Sequence, residues 1–184
     1  MKMGKNMKSE ESTMSNLREL LLQVMNEYGN AITERFAEHP LGTLVRSEIP
    51  EKIFKVADVD RDRYVVKGSV GQGNWAKVPW IAIMNKEVTT TTQEGFYLVY
   101  LFREDMSKVF LTLAQGVTKT DRDEMERINE DIRAKLDIDE PQIHKNNDYV
   151  LGESDKAKKY QESTALFIEY ERNHMPSDGQ LISD

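Results

Sequence analysis

Four short segments in the middle of the chain are rich in β-branched and aromatic residues and are separated by turn-forming residues. They run from Tyr64 to Val70, from Val78 to Met84, from Phe96 to Phe102 and from Lys108 to Ala114. Because the connections are short, we expect an antiparallel meander. With helical patterns on both sides, this block predicts an α+β fold: a central, mostly antiparallel sheet of about four to five strands with helices packed on it.

The flanking segments have helical periodicity. From Ser15, apolar residues recur at three- and four-residue spacing until Gly29, and Pro40 and Pro50 each open a further short helix. A charged helix is predicted from Asp121 to Leu136 and a loop from Gln142 to Asp155. The segment from Tyr160 to Tyr170 is apolar enough to be buried but is open between helix and strand, and a last helix begins at Pro176, Ser177 and Asp178.

Length and residue usage limit the organisation of the chain. Its 184 residues fit one domain, placed at residues 15–184, and residues 1–14 are predicted to be a disordered arm without a signal or membrane anchor. The sequence ends inside the last predicted helix, which indicates a fragment of a longer protein. The absence of cysteine excludes disulfides and thiolate chemistry and favours a cytoplasmic location.

Charge is distributed unevenly. The formal net charge is −7, yet six basic and three acidic residues lie between positions 61 and 103. By charge alone, Lys67, Lys77 and Arg103 are candidates for contacts to phosphate groups. A solvated sheet edge explains the same basic block, so both interpretations stay open.

The segment from Ser69 to Met84 combines two glycines with the only tryptophans of the chain, Trp75 and Trp80. Gly71 and Gly73 permit a tight loop with Gln72 at its tip. Stiff aromatic faces beside such a loop can grip a flat ligand such as a base, although both rings can also be core residues.

The strand after this loop and the next one place further side chains near Trp80. Tyr97, Val99 and Leu101 share one face because alternate residues of a strand point the same way. If the two strands are neighbours, Trp80 lies opposite Tyr97 or Leu101 and forms a slot suited to one unstacked base. The threonine-rich connection from Asn85 to Gly95 is interpreted as a mobile loop, with ligand contact as the alternative.

Catalytic and metal sites are not indicated. The histidines at 39, 144 and 174 lie far apart without metal-binding spacing, and His39, before Pro40, fits a capping or packing role. The glycine pair lacks the third glycine of a dinucleotide loop, and no nucleophile elbow is present. We therefore expect a binding module without a cofactor, catalytic residue or metal ligand. A sensor module for a protein or small ligand is the alternative, and an unrecognised hydrolase is the weakest one.

Several motifs together resemble one known family. They are Gly-Gln-Gly-Asn-Trp-Ala-x-Val-Pro-Trp-Ile-Ala from position 71, the threonine-rich loop, Gly-Phe-Tyr-Leu-Val-Tyr-Leu-Phe from position 95, Val-Phe-Leu-Thr-Leu-Ala-Gln-Gly from position 109, and Asn-x-Met-Pro-Ser-Asp from position 173. The chain from about Leu17 to its end resembles the MrcB-like N-terminal domain. This domain is the DNA-recognition module of McrB-type modification-dependent restriction proteins and of related multidomain defence proteins.

The resemblance implies a function and a site. In McrB-type proteins the domain binds duplex DNA that carries methylated cytosine and rotates the modified base into a pocket. Carried onto matching positions, Trp80, Tyr97 and Leu101 would form that pocket. The loop residues Gly71, Gln72, Gly73 and Asn74, with Trp75, would enter the gap left in the duplex.

The chain also departs from that family pattern. Gln72 stands where the better-known McrB loop has tyrosine, and glutamine can fill space and hydrogen-bond the orphaned base but stacks poorly. The GTP-hydrolysing motor of such systems and any nuclease motif are absent from this sequence. Cleavage would therefore belong to another domain or to a partner subunit.

Overall fold

Five antiparallel strands form one sheet in the computed structural model, which describes residues 15–184. The predicted N-terminal arm lies outside the described residues. The strands follow chain order across the sheet: β1 (Tyr64–Ser69), β2 (Trp80–Asn85), β3 (Phe96–Phe102), β4 (Lys108–Gln115) and β5 (Thr164–Glu171). The α+β prediction is confirmed, and the first four strands are the predicted meander.

Six α-helices surround the sheet in the described part of the chain: α1 (Leu17–Ala31), α2 (Pro40–Thr43), α3 (Ile49–Val56), α4 (Arg122–Lys135), α5 (Asp155–Glu162) and α6 (Asp178–Ser183). A capping box between Asn16 and Glu19 begins α1, which continues past the predicted stop at Gly29. A π-helical turn, Leu44–Glu48, joins α2 to α3. The two predicted proline-led helices are therefore parts of one helical run.

The π-helical turn lies directly against the sheet. A Cβ atom at Gly68 of β1 would come within 1.9 Å of the Val45 carbonyl oxygen. Only glycine permits this approach of two backbones. The contact fixes helices α1 to α3, the front helices, against β1, next to the glycine loop that follows it.

The segment from Tyr160 to Tyr170, whose sequence pattern fits either a helix or a strand, contains both. Its first residues form the last turn of α5, and β5 begins at Thr164 and pairs with β4. The predicted loop before it also contacts the sheet, because His144 forms an isolated bridge with Phe167.

The two faces of the sheet carry separate apolar layers. The front helices and α6 cover the first face, where Ile81 and Tyr100 are buried. On the second face, Val99 and Phe110 pack against Tyr149 and α5. The split follows from the two-residue alternation along each strand. The second face is only partly covered, and the candidate site lies there.

Candidate functional site

A cavity of about 910 Å³ lies on the second face of the sheet, with α5 as one wall. The sheet contributes Trp80, Tyr97, Val99, Leu101 and Ala114, and the helix contributes Asp155, Lys156, Lys159 and Tyr160. The glycine loop and the threonine-rich loop supply further lining residues. The structure therefore brings the three predicted pocket residues to one cavity.

The register of the strands sets the length of this cavity. Trp80 pairs with Leu101, and Tyr97 pairs with Ala114. Leu101 and Tyr97 are four residues apart on β3, so the two ends of the floor are separated by about 13 Å along the strand. Helix α5 has eight residues and is about 12 Å long. The cavity is thus a trough, with one end at Trp80 and the other at Tyr97.

Aromatic side chains stand at both ends of the trough and on its wall. Trp80, Tyr97 and Tyr160 are each partly exposed, whereas Leu101 is 3% exposed and contributes to the floor. Burial raises the pKa of Tyr160, and the neighbouring Trp80 indole offsets part of this rise. Burial also raises the pKa of Tyr97, with a smaller contribution from Tyr160. Both phenols stay neutral near pH 7 and can donate hydrogen bonds.

The glycine loop has a fixed base and an exposed tip. The Ala76 N–H donates to the Val70 carbonyl at 2.8 Å, and the Tyr28 hydroxyl of α1 donates to the Ala76 carbonyl. Gly71 has φ of +110°, and a Cβ atom there would lie 2.0 Å from the Asn74 carbonyl oxygen. The tip, which consists of Gln72, Gly73 and Asn74, is exposed.

Trp75 occupies a different position from Trp80. Its indole N–H donates to the Glu34 carbonyl at 3.0 Å. Its ring makes edge contacts with Tyr28, Phe36 and His39, at centroid distances of 5.7, 5.1 and 5.0 Å. These contacts anchor the loop to the front helices, so Trp75 is held beneath the loop and away from the trough.

His39 has the capping role that its position predicts. Its Nδ1 accepts a hydrogen bond from the Leu41 N–H at 3.1 Å at the start of α2, and its Nε2 lies 2.9 Å from a Glu34 carboxylate oxygen. It also lies against Trp75. A metal-ligand or catalytic role is therefore not indicated for this ring.

The fold does not bring the three residues predicted to contact phosphates to one place. Lys77 lines the cavity. Lys67 instead donates to the Thr90 carbonyl at 3.2 Å, and Arg103 pairs with Asp105, with 3.3 Å between Nε and Oδ1. Neither Lys67 nor Arg103 is among the residues that line the cavity.

Sequence reasoning missed Lys156, Lys159 and Tyr160 of α5. The two lysines are exposed, and Asp155 is the only carboxylate among the described lining residues. The trough is therefore basic in a protein that is acidic as a whole. The sequence Lys-Ala-Lys-Lys-Tyr from position 156 could have indicated them. In a helix, its three- and four-residue spacing places Lys156, Lys159 and Tyr160 on one face.

Helix α5 is held to the β3–β4 turn by Glu104. Its carboxylate accepts hydrogen bonds from the Glu153 N–H at 3.0 Å, the Ser154 N–H at 3.3 Å and the Ser154 hydroxyl. Burial acts to raise the pKa of Glu104, but these donors and the charge of Lys77 outweigh it, so the pKa is lowered. A Cβ atom at Gly152 would lie 2.2 Å from the carboxyl carbon. One wall of the trough thus depends on this contact.

The threonine-rich connection, interpreted from the sequence as a mobile loop, is folded on itself. The Thr89 hydroxyl donates to the Thr91 carbonyl at 2.8 Å, and the Tyr97 hydroxyl donates to the Thr92 carbonyl at 2.9 Å. Thr92 and Gln93 line the Tyr97 end of the trough. The loop therefore forms part of the cavity wall, and its contact with a ligand stays a prediction.

Two further features concern residues 15–184: clusters of metal-binding side chains and membrane-spanning helices. Within this range, no group of three or more histidine, aspartate or glutamate side chains is arranged to hold a metal ion. No helix in the same range is long and apolar enough to cross a membrane.

Comparison with known proteins gives one family. The sequence model of the MrcB-like, N-terminal domain matches residues 23–184, a range that contains the glycine loop, the whole sheet and α5. No curated protein matches the chain. The match extends over the cavity and both of its flanking loops.

Proposed function

The chain belongs to the MrcB-like N-terminal domain family, a family of DNA-binding modules of restriction-type systems, and we propose that it reads a modified base in duplex DNA. The base leaves the helix and enters the trough beside Trp80. Methylated cytosine is the modification that the family resemblance implies. The observation that carries the proposal is a partly exposed indole in an open cavity, directly beside a glycine loop with a free tip.

Trp80 supplies the flat surface that an extruded base needs. Tyr160 lies beside its ring, and Leu101 lies opposite it on β3. Stacking of a base on such a ring contributes about 1–3 kcal/mol. The neutral phenol of Tyr160 can donate a hydrogen bond to an acceptor atom on the edge of the base, whereas the Tyr97 hydroxyl, which donates to the Thr92 carbonyl, can accept one.

The glycine loop fits the role of filling the gap that the base leaves. Extrusion costs a few kcal/mol through lost pairing and stacking. Because Tyr28 and Trp75 hold the base of the loop, little conformational freedom is lost when its tip enters the duplex. Gln72 at the tip can hydrogen-bond the orphaned partner base.

Lysine side chains at the trough supply the charge that DNA binding requires. Lys77 lies beside the loop, and Lys156 and Lys159 lie on the α5 wall. A net charge of −7 disfavours binding by the whole surface, so binding concentrates at this basic site. A motor or nuclease that acts on the bound DNA would be a partner domain or subunit.

The test is a comparison of duplexes that differ in one cytosine, either unmodified or methylated at C5. We expect Trp80→Ala to lower affinity for the methylated duplex by about 10- to 100-fold, the loss expected for one base–aromatic stack. Trp80→Phe, which keeps a flat ring, should retain part of the discrimination. Equal discrimination by wild type and Trp80→Ala would refute the pocket assignment.

A small polar ligand is the second candidate, because the cavity volume lies within the range of about 300–1,000 Å³ typical of small-molecule sites. Salt dependence separates the two functions. Affinity for duplex DNA that falls steeply as salt rises supports DNA reading. An absence of duplex binding at low salt supports a sensor module.

A further inference from the structure

The hairpin of β1 and β2 has an unbalanced positive charge. Residues 63–86 include four basic residues, Arg63, Lys67, Lys77 and Lys86, and no acidic one. The whole chain, by contrast, has 32 acidic and 25 basic residues. Lys77 lines the trough, but Arg63, Lys67 and Lys86 are not among its lining residues. The trough therefore does not account for the charge of these three side chains, which are called the β1 strip below.

Lys67 lies on the same face of the sheet as the trough. Side chains two residues apart on a strand point the same way, so Lys67 shares its face with Ser69, which lines the trough. Lys67 also pairs with Ala82, which belongs to the apolar layer of the second face. The Lys67 side chain is exposed and lies about 7 Å along β1 from Ser69. An open part of the second face thus continues from the trough onto β1.

Arg63 and Lys86 lie at the far end of the hairpin. The Lys86 N–H donates to the Arg63 carbonyl at 2.9 Å, so backbone pairing continues past the ends of the two strands. Both residues are exposed. Six residues separate Arg63 from Ser69, which corresponds to about 20 Å along an extended strand. Because duplex DNA rises about 3.4 Å per base pair, this length matches about six base pairs.

Neighbouring carboxylates do not compensate the charges of the β1 strip. Lys67 donates to the Thr90 carbonyl at 3.2 Å, and Lys86 donates to the Arg61 carbonyl at 2.7 Å. Both acceptors are neutral. Within residues 15–184, no salt bridge involves any member of the strip. An ammonium group has three donors, so each lysine can hold its carbonyl partner and still donate to a phosphate oxygen.

A solvated sheet edge, the other interpretation of this basic block, does not explain its composition. Exposed surfaces of soluble proteins normally mix charges of both signs. Here aspartate and glutamate are absent from both strands and from the loop between them. Lys67 also points to the face that continues from the trough. A run of one sign without counter-charge is the electrostatic footprint of a surface that binds a polyanion.

We propose that the β1 strip binds the phosphate backbone of the duplex on one side of the extruded base, over about six base pairs. This inference rests on the proposed base-reading function and adds a second contact surface for the same DNA. Helix α5 leads into β5 at the opposite edge of the sheet from β1, so the strip and the α5 lysines hold different parts of the duplex. Phosphate contacts fix register and orientation but carry no base information. The strip therefore sets affinity and leaves discrimination to the trough.

The experiment uses a triple variant of the strip, Arg63→Gln, Lys67→Gln and Lys86→Gln. Glutamine removes the charge and retains a hydrogen-bond donor, so the contacts to the two backbone carbonyls can persist. The matched control replaces three exposed basic residues on α4 and the loop after it by glutamine: Arg127, Lys135 and Lys145. Both triple variants change the net charge by the same amount. Their melting temperatures check that they fold.

Kd is measured at several salt concentrations for duplexes that carry one 5-methylcytosine. A long duplex has about ten base pairs on each side of it, and two shortened duplexes keep about three base pairs on one side or the other. Each neutralised phosphate contributes about 0.9 to the slope of log K against log salt concentration, so the strip variant should reduce the slope on the long duplex by about 2.7. Over a fourfold rise in salt, its affinity should fall about 40-fold less than that of wild type.

The shortened duplexes locate the contact. Wild type should lose the same part of its slope on only one of them, the one that lacks the arm over β1. On that duplex the strip variant and wild type should have equal slopes. Equal slopes of wild type on the two shortened duplexes, or a strip variant that behaves like the α4 control on the long duplex, overturn the inference.

Discrimination separates this inference from the proposed function. The strip variant should keep the wild-type ratio of Kd between methylated and unmodified duplexes, because the strip contacts no base. A strip variant that loses this ratio contradicts the inference, since the strip would then act on the base site. If wild type itself binds both duplexes equally, the base-reading function fails, whereas the slopes still decide whether the strip contacts phosphates.

Discussion

Replacement of Lys156 and Lys159 by alanine tests whether α5 forms part of the DNA-binding surface. Both side chains are exposed and line the trough. Lys158 lies between them in sequence, but it lines a separate polar pocket with Arg122 and Glu126. The helix therefore contains its own control, a lysine of equal charge that points away from the proposed site.

The expected effect follows from counterion release. Each phosphate that a lysine neutralises contributes about 0.9 to the slope of log K against log salt concentration. Removal of both lysines should reduce the slope by about 1.8. Over a fourfold rise in salt, wild-type affinity should therefore fall about twelvefold more than the affinity of the double variant. Single variants should each show about half of the change in slope.

The assay is a titration of fluorescently labelled duplex at several salt concentrations, with the melting temperature of each variant as a check on folding. Alanine at these exposed positions should change stability by less than about 0.5 kcal/mol. Lys158→Ala should keep the wild-type slope. A double variant with an unchanged slope, or a Lys158→Ala slope reduced as much as that of Lys156→Ala, would show that α5 does not face the phosphates.

Two further predictions concern the supports of the site. Gly71→Ala should lower duplex affinity without unfolding the protein, because a Cβ at φ of +110° would lie 2.0 Å from the Asn74 carbonyl and distort the tip; an intact melting curve with unchanged Kd would contradict it. Because the pKa of Glu104 is lowered in the fold, its contacts to Ser154 contribute their full stability at pH values above 4.5, the ordinary pKa of a glutamate. This stability is lost as the pH falls through the lowered pKa of Glu104. Amide exchange at residues 153–157 should therefore accelerate in acid, and Glu104→Gln should remove this pH dependence; the same acid response in both proteins would count against it.

The strands were predictable because their signals are local. Phe96–Phe102 has the bounds that composition and alternation predict, and the turns around it contain the expected residues. The end of α5 was not predictable in this way, because Tyr160 belongs to the helix while Thr164 starts β5. That boundary depends on pairing with β4, a strand about fifty residues earlier, which no local pattern contains.

The two tryptophans show which features of the site the sequence predicts and which it does not. They lie five residues apart on either side of one turn, and their chemistry is identical. Trp75 packs on α1 and its following loop, while Trp80 begins β2 and faces the cavity. The difference arises because the front helices cover the first face of the sheet and leave part of the second face open. The sequence singled out both tryptophans, but only the packing shows that Trp75 anchors the loop and that Trp80 faces the cavity.

The charge of the site was also only partly predictable from the sequence. The basic block between positions 61 and 103 was visible because basic residues outnumber acidic ones along one segment of the sequence, yet the fold directs Lys67 and Arg103 to partners outside the trough. Lysines from α5, in a region that is acidic on average, are brought in instead through the Glu104 contact. The local potential at the trough therefore depends on docking of α5, and a change that loosens this helix would weaken phosphate binding and open the cavity wall together. Under the proposed function, a site that is assembled in this way would link affinity for the DNA backbone to recognition of the base, because both would depend on the same eight-residue helix.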